Sequence, residues 1–122
     1  MKNLKTKWFS KWANKNKLSD KKLLEGISNI DSGFSTSNLG SNIYKVRIAR
    51  KGEGKSGGFR TILVYNKNDR AVFLYGFSKN EQSNISKTEL NYFKKLGADL
   101  LKLSDDELVL SIERKILQEV KK

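Results

Sequence analysis

Basic side chains at alternate positions of one predicted strand are the residues of this sequence best suited to chemistry. In residues 42–50, apolar side chains alternate with Lys45 and Arg47, which is the period of a half-buried strand. Arg60 begins the next predicted strand, and three of the five arginines fall between residues 47 and 60. The planar guanidinium binds phosphate through paired hydrogen bonds. The pattern therefore predicts a phosphate-binding surface.

The overall charge agrees with such a surface. The chain has 25 Lys and Arg against 13 Asp and Glu, a net charge of +12, which favours nucleic acid or an anionic membrane as partner. Cys and His are absent, which excludes Cys/His zinc sites, thiol nucleophiles, Ser-His-Asp triads and histidine bases. We predict no metal site and no cofactor, so any catalysis would use lysine, arginine or tyrosine.

The glycine-rich segment, residues 52–57, matches the dinucleotide-binding pattern but lacks its context. That pattern requires a following helix whose N-terminus binds the pyrophosphate, whereas Phe59–Tyr65 has strand composition. We therefore predict a hairpin connection instead of a nucleotide site. Its bases Arg50, Lys51 and Lys55 would extend the basic surface along a sugar-phosphate backbone.

The elements that must position these side chains follow from periodicity and capping. The 122 residues suit one α+β domain. We predict helices over residues 7–17, 19–30, 86–103 and 104–120, a loop over 31–42, and strands over 42–50, 59–65 and 70–77. The last two helices begin with the capping-box pairs Ser86 with Glu89 and Ser104 with Glu107.

Two predictions concern where apolar side chains are buried. Trp8 and Trp12 are four residues apart, and we expect them in the core and not stacked on bases. The last predicted helix carries one apolar stripe, which we expect to pack on the chain's own sheet and not on a partner. This stripe consists of Leu108, Ile112, Ile116 and Val120.

Membrane association is not expected. No stretch reaches the roughly 18 to 20 apolar residues that a bilayer span needs, and Met1–Lys7 lacks the apolar segment of a secretory signal. The basic residues alternate along a strand and do not line a lone amphipathic helix. We therefore expect a cytoplasmic protein.

The ordered motifs resemble a known family. KVRIARKGEGKSGGFRTILVY (residues 45–65), then FLYGFSKNEQSNIS (residues 73–86) and an amphipathic helix are similar to the RelE/HigB-type toxins of bacterial toxin-antitoxin pairs, in the branch with GGFR and Lys-Asn-Glu motifs. The resemblance covers roughly residues 4–103. It implies a RelE-like fold with a mainly antiparallel sheet of about four strands, two N-terminal helices, and a short first strand near residues 4–7.

The resemblance also implies an activity. RelE-type toxins enter the ribosomal A site and cleave the messenger without a metal, leaving a 2′,3′-cyclic phosphate. Lys45 and Arg47 match the family's basic strand positions, and Arg60 matches the arginine of its next strand. Because arginine does not lose its proton readily, Lys45 is expected to act as base or electrostatic group. Arg47 and Arg60 are then expected to stabilise developing charge.

At two positions the sequence departs from the family pattern. Asn80 and Ser86 stand where RelE has an arginine and a tyrosine, so the acid for the leaving group would be Lys79, Tyr75 or Tyr65.

The aromatic side chains of the third predicted strand have two possible roles. Tyr75 and Phe77 would either stack on a base of the RNA or complete the core.

Other functions and partners stay open at this stage. The departures at Asn80 and Ser86 leave as alternatives a non-catalytic or gyrase-targeting member of the same fold, or a nucleic-acid-binding module. The expected partners are ribosome-bound mRNA and a cognate antitoxin, a small helix-turn-helix protein whose acidic segment would cover the basic residues.

Overall fold

The computed structural model of the chain describes residues 1–49 and 58–122, and in them one six-stranded sheet lies between helices. The strands are β1 (Lys2–Thr6), β2 (Thr36–Gly40), β3 (Ile43–Ile48), β4 (Phe59–Asn66), β5 (Arg70–Ser78) and β6 (Leu117–Glu119). The helices are α1 (Lys7–Lys15), α2 (Asp20–Ser28), α3 (Lys87–Lys102) and α4 (Asp105–Glu113). Both helix and sheet are present in one layered arrangement, so the α+β prediction is confirmed.

The sheet order is β2-β3-β4-β5-β1-β6. Neighbouring strands are antiparallel except β1 and β5, which pair in parallel. The central strands β4 and β5 bury nearly every residue, because helices cover both faces of the sheet.

Alternation along the strands divides the core into two layers. Leu63 and Phe73 pack with Phe9 of α1 and Leu23 of α2 on one face. On the other face, a second cluster joins β4 to α3 and α4 through Ile62, Val64, Phe93, Leu100 and Leu108. Lys45 of β3 pairs with Ile62, and Ile62 faces α3. The basic side chains therefore lie on the face of the sheet that α3 covers, which we call the α3 face.

A β-bulge in β5 determines which aromatic side chains reach that face. Ile62 pairs with Tyr75 whereas Leu63 pairs with Phe73, so Leu74 is the extra residue on β5. Leu74 and Tyr75 both contact the cluster on the α3 face. An extra residue reverses the alternation beyond it, and Tyr75 consequently lies on the same face as Lys45.

The expected strand count of about four is wrong, because two additional strands pair at the edges of the sheet. Thr36–Gly40, predicted as loop, forms β2 against β3. The first strand spans Lys2–Thr6 instead of residues 4–7. The Ser and Asn residues of β2 have a low intrinsic preference for strands, so the sequence predicted a loop. Backbone hydrogen bonds to β3 stabilise β2 as a strand.

The last predicted helix is also shorter than expected. It ends at Glu113 instead of Val120, and Lys115 turns the chain with φ 62°. Leu117–Glu119 then pairs antiparallel with β1. This pairing satisfies the backbone groups at the edge of β1, an advantage that helical periodicity cannot reveal. As a result Leu117 and Val120 are buried while Ile116 is exposed.

The prediction for the tryptophans is half correct. Trp12 is partly buried against the core, but Trp8 is 48% exposed. Trp8 lies at the start of α1, beyond the end of β1, and its ring stacks on Trp12 and on Tyr75. A spacing of four places both rings on one helix face, but it does not show how far the sheet extends beneath that face.

The predicted capping boxes are confirmed. In both, the serine hydroxyl accepts from the N3 backbone and the glutamate accepts from the serine N–H. Arg70, almost fully buried, fastens the end of α3 to β5 by donating to the carbonyl oxygens of Leu100 and Leu103 at 2.9 and 2.7 Å. These contacts hold the C-terminal end of α3 over the sheet.

We predict that Gly76→Ala destabilises the fold. A Cβ atom at Gly76 would overlap the indole ring of Trp12, and Trp12 is itself packed against Phe9 and Phe59. Overpacking of this kind costs about 1–3 kcal/mol. Urea unfolding followed by tryptophan fluorescence measures the loss.

Gly26→Ala is the matched control. Its Cβ would meet the flexible end of Ile48 at 3.2 Å, and alanine favours a helix over glycine by about 1 kcal/mol. We expect its free energy of unfolding to stay within about 1 kcal/mol of the wild type. Equal stability of the two variants would contradict the packing of Trp12 on Gly76.

Candidate functional site

The basic side chains of β3 and β4 come together at one end of the sheet. Arg47 pairs directly with Arg60, and Lys45 lies two residues before Arg47 on the same strand and face. Neighbouring strands lie about 4.8 Å apart and alternate residues about 6.8 Å apart, so three cationic side chains emerge from one small area. We call Lys45, Arg47 and Arg60 the basic cluster.

The pairing of Arg47 with Arg60 opposes a local rule of sheet stability. Like charges directly opposite each other on antiparallel strands destabilise the pair. Among residues 1–49 and 58–122, no carboxylate forms an ion pair with Lys45 or Arg47. A cluster that violates a local rule in this way is typical of a functional site.

Burial adds to the electrostatic strain in the basic cluster. Arg60 is only 7% exposed, and its Nη1 donates to the carbonyl oxygen of Gly58 at 3.2 Å. Desolvation lowers the pKa of Lys45, and the positive charges of Arg47 and Arg60 lower it further. Desolvation, followed by the charge of Arg47, also lowers the pKa of Arg60. A lysine with a lowered pKa has a larger neutral fraction, which a base requires.

The segment between β5 and α3, residues 79–86, forms hydrogen bonds with side chains on the face of the sheet that carries the basic cluster. Lys45 Nζ donates to Asn84 Oδ1 at 3.3 Å, and the Tyr75 hydroxyl donates to Gln82 Oε1 at 3.0 Å. Gln82 Nε2 in turn donates to the carbonyl oxygen of Asn84 and to Glu89 Oε1. Because Glu89 belongs to the capping box of α3, the helix start helps to hold this segment beside Lys45.

Sequence reasoning did not identify Gln82 and Asn84. Polar residues between a strand and a helix have the composition of a solvated turn. Nothing in their spacing shows that they reach back to β3 and β5.

Tyr75 and Phe77 occupy the third strand of the site. Tyr75 pairs with Ile62 in the row that contains Lys45, and Phe77 pairs with Arg60 in the row that contains Arg47. The ring of Tyr75 packs against Trp8 and Phe93, with ring centres 4.8 and 5.2 Å away. Phe77 is 3% exposed. These contacts favour the core role of both rings over stacking on a base.

Of the possible acids, Tyr65 lies on the opposite face of the sheet. It belongs to the cluster beneath α1 and α2, and its hydroxyl donates to Asp31 Oδ1 at 3.1 Å. Lys79 is exposed directly after β5. Burial raises the pKa of Tyr75, and Glu89 and Glu81 raise it further. Tyr75 and Lys79 are thus the two possible acids that lie on or beside the site.

Three predicted contacts of the hairpin connection, Arg50, Lys51 and Lys55, lie outside the described residues.

Among residues 1–49 and 58–122, no group of three or more His, Cys, Asp or Glu side chains is placed to hold a metal ion. In the same residues, no helix has the length and apolar character needed to cross a bilayer.

Comparison with known families identifies the group to which this arrangement belongs. Residues 1–120 match the family model described as RelE toxin of RelE / RelB toxin-antitoxin system. The chain belongs to the RelE toxin family. No curated protein matches the sequence significantly. As a member of the RelE family, the chain is the toxin of a toxin-antitoxin pair, and an antitoxin is its partner.

We predict that Arg47→Gln raises the pKa of Lys45. The substitution removes one of the two positive charges that lower this pKa, while desolvation, the larger cause, stays in place, so the recovery is partial. A pH titration of the Lys45 side chain by NMR measures the shift.

Arg114→Gln, at the exposed end of α4, removes the same charge from a position outside the site. It should leave the titration of Lys45 unchanged. A Lys45 pKa that responds equally to both substitutions would show that overall charge, and not the basic cluster, sets its value.

Proposed function

We propose that this RelE-family toxin is a ribosome-dependent endoribonuclease that cleaves mRNA and so inhibits translation. The observation that carries the proposal is the basic cluster, in which Lys45, with a lowered pKa, lies beside Arg47 and Arg60. Metal-free cleavage of RNA requires a base for the 2′-oxygen, cationic donors for the phosphorane and an acid for the leaving 5′-oxygen. The cluster provides the first two of these groups.

In the proposed reaction, the ribose 2′-oxygen attacks the adjacent phosphorus while neutral Lys45 accepts the 2′-hydroxyl proton. Arg47 and Arg60 donate hydrogen bonds to the phosphate oxygens, where negative charge develops in the transition state. The bond between phosphorus and the 5′-oxygen then breaks, and that oxygen receives its proton from Lys79. The products are a 2′,3′-cyclic phosphate and a free 5′-hydroxyl.

The rest of the site supports the binding of an RNA backbone. Arg50, Lys51 and Lys55 follow β3 in the chain, and their proposed role is to bind the sugar-phosphate backbone. Tyr75 and Phe77 contribute to the floor of the site as packed rings, and Tyr75 donates to Gln82. We place the protein in the cytoplasm, where ribosome-bound mRNA is available.

The differences from the family pattern favour the alternatives to RNA cleavage. Asn80 and Ser86 lack the charge and the acidic hydroxyl expected at their positions. If Lys79 does not replace them, the chain binds nucleic acid without cleaving it or acts on gyrase, and the basic cluster then serves binding alone.

We predict that Lys45→Ala lowers ribosome-dependent cleavage by roughly 10²- to 10⁴-fold, the usual contribution of a general base. Loss of one positioned charge donor by Arg60→Ala should cost about 10²- to 10³-fold. The measurement is single-turnover cleavage of a defined messenger on purified ribosomes, together with growth arrest on induction. Circular dichroism checks that Arg60→Ala, a change at a buried position, leaves the fold intact.

Lys21→Ala is the matched control, because Lys21 is an exposed lysine on α2, on the opposite face of the sheet. It should retain wild-type cleavage. Full cleavage by Lys45→Ala would remove Lys45 from the catalytic residues. If messenger 5′ ends after induction show no new cuts while DNA-damage signals rise, the gyrase alternative replaces the nuclease.

A further inference from the structure

Asn84, in the segment between β5 and α3, contacts the basic cluster directly. Its side-chain oxygen Oδ1 accepts a hydrogen bond from Lys45 Nζ at 3.3 Å and a second one from the backbone N–H of Ile85 at 2.9 Å. An amide oxygen can accept two hydrogen bonds, so the bond from Ile85 holds this oxygen in place while the other bond goes to Lys45. The amine of Lys45 is thus held by a side chain from outside the sheet.

The backbone of Asn84 is held by the hydrogen bonds at the start of α3. Gln82 Nε2 donates to the carbonyl oxygen of Asn84 at 2.9 Å and to Glu89 Oε1 at 3.2 Å, and Gln82 Oε1 accepts from the Tyr75 hydroxyl. Glu89 is itself fixed by the capping box of α3. A group that is supported in this way keeps its position before a substrate arrives, which is what a positioning role requires.

The oxygen that Asn84 offers to Lys45 carries no net charge. Strand β2 contributes no charged side chain beside Lys45. The described titratable groups on the other elements around Lys45 are Arg47 of β3, Arg60 of β4, Tyr75 of β5, Lys79 and Glu81 of the segment, and Glu89 and Lys94 of α3. After desolvation, the charges of Arg47 and Arg60 lower the pKa of Lys45. A carboxylate in the place of the Asn84 amide would oppose both effects, because an opposite charge favours the charged amine.

We propose that Asn84 is a positioning residue of this toxin, which orients the amine of Lys45 for RNA without supplying the charge that would keep the amine protonated. A neutral amine has two N–H bonds and one lone pair. When one N–H is directed to Asn84, rotation about the Cε–Nζ bond is restricted, and the lone pair is confined to directions away from Asn84. The proposal rests on the proposed function and deepens it, because it adds to the same cleavage a residue from outside the basic cluster.

The substitution Asn84→Asp separates this role from a purely structural one. Aspartate has the shape of asparagine and can accept the same two hydrogen bonds, but it adds a negative charge. If Asn84 only fastened the segment to the sheet, aspartate would do so at least as well, because hydrogen bonds to a charged group are the stronger ones. If Asn84 must orient Lys45 without charge, aspartate impairs cleavage at neutral pH.

The first measurement is an NMR titration of the Lys45 side chain in the purified toxin, without ribosomes. Asn84→Asp should raise the pKa of Lys45, because the new carboxylate favours the charged amine. Asn14→Asp is the matched control, since Asn14 is an exposed asparagine of α1, on the opposite face of the sheet. It adds the same charge and should leave the titration of Lys45 unchanged. Asn84 is also exposed, so its variants should preserve the fold, which urea unfolding checks.

The second measurement is single-turnover cleavage of a defined messenger on purified ribosomes as a function of pH. Asn84→Ala should lower the maximal rate constant by up to about 100-fold at every pH, the cost of a misplaced catalytic group, with little change in the concentration that gives half of that rate. Asn84→Asp should be slow at neutral pH and recover as the pH rises, because the neutral amine then forms at higher pH. Asn14→Asp should follow the wild-type profile.

Two results would overturn the role of Asn84 and leave the nuclease in place. One is wild-type cleavage by Asn84→Ala, and the other is a pH profile of Asn84→Asp that coincides with that of the wild type. A wild-type chain that cleaves no messenger at any pH would instead overturn the proposed function, and the role of Asn84 in cleavage with it. The two failures are distinguishable, because the first appears only in the variants and the second in the wild type.

Discussion

Repulsion between Arg47 and Arg60 is the constraint on which the site depends. The two guanidinium groups belong to directly paired residues, with Lys45 beside them, and such a pair weakens the sheet locally. The cost is tolerated because β4 and β5 are buried between two apolar layers and because Arg70 fastens α3 to β5. Desolvation lowers the pKa of Lys45, and the charges of Arg47 and Arg60 lower it further. The cations that oppose local folding therefore also favour the neutral form of Lys45, which the proposed base requires.

Tyr75 connects α1 and α3 to the segment beside the basic cluster. Its ring packs between Trp8 and Phe93, and its hydroxyl holds Gln82 in the segment that reaches Lys45. The bulge at Leu74 is what brings Tyr75 to this face. One irregularity in β5 therefore connects the packed rings of Trp8 and Phe93 to the segment that contacts Lys45.

The sequence predicted the features that local rules determine. The alternation around Lys45 and Arg47 located β3, and serine followed by glutamate three residues later located the starts of α3 and α4. Strand β6 was missed because its partner β1 is distant in sequence. Strand β2 was missed because its Ser- and Asn-rich composition is typical of a loop, although it pairs with the adjacent strand β3. One feature of the sequence could have indicated the bulge, because a glycine within a strand often marks a bulge or a close approach. This glycine is Gly76, which lies directly beneath Trp12. The links from Asn84 to Lys45 and from Gln82 to Tyr75 depend on tertiary folding, and no spacing in the sequence encodes them.

The central claim is that the basic cluster cleaves messenger by attack of the ribose 2′-oxygen. Cleavage on the ribosome of a messenger with a single 2′-deoxy nucleotide on the 5′ side of the cut site tests this claim most directly, because the nucleophile alone is removed. The account predicts that cleavage at that bond disappears while binding of the messenger is unchanged, and that the all-ribose messenger yields a 2′,3′-cyclic phosphate. Continued cleavage of the 2′-deoxy messenger at the same bond would contradict it.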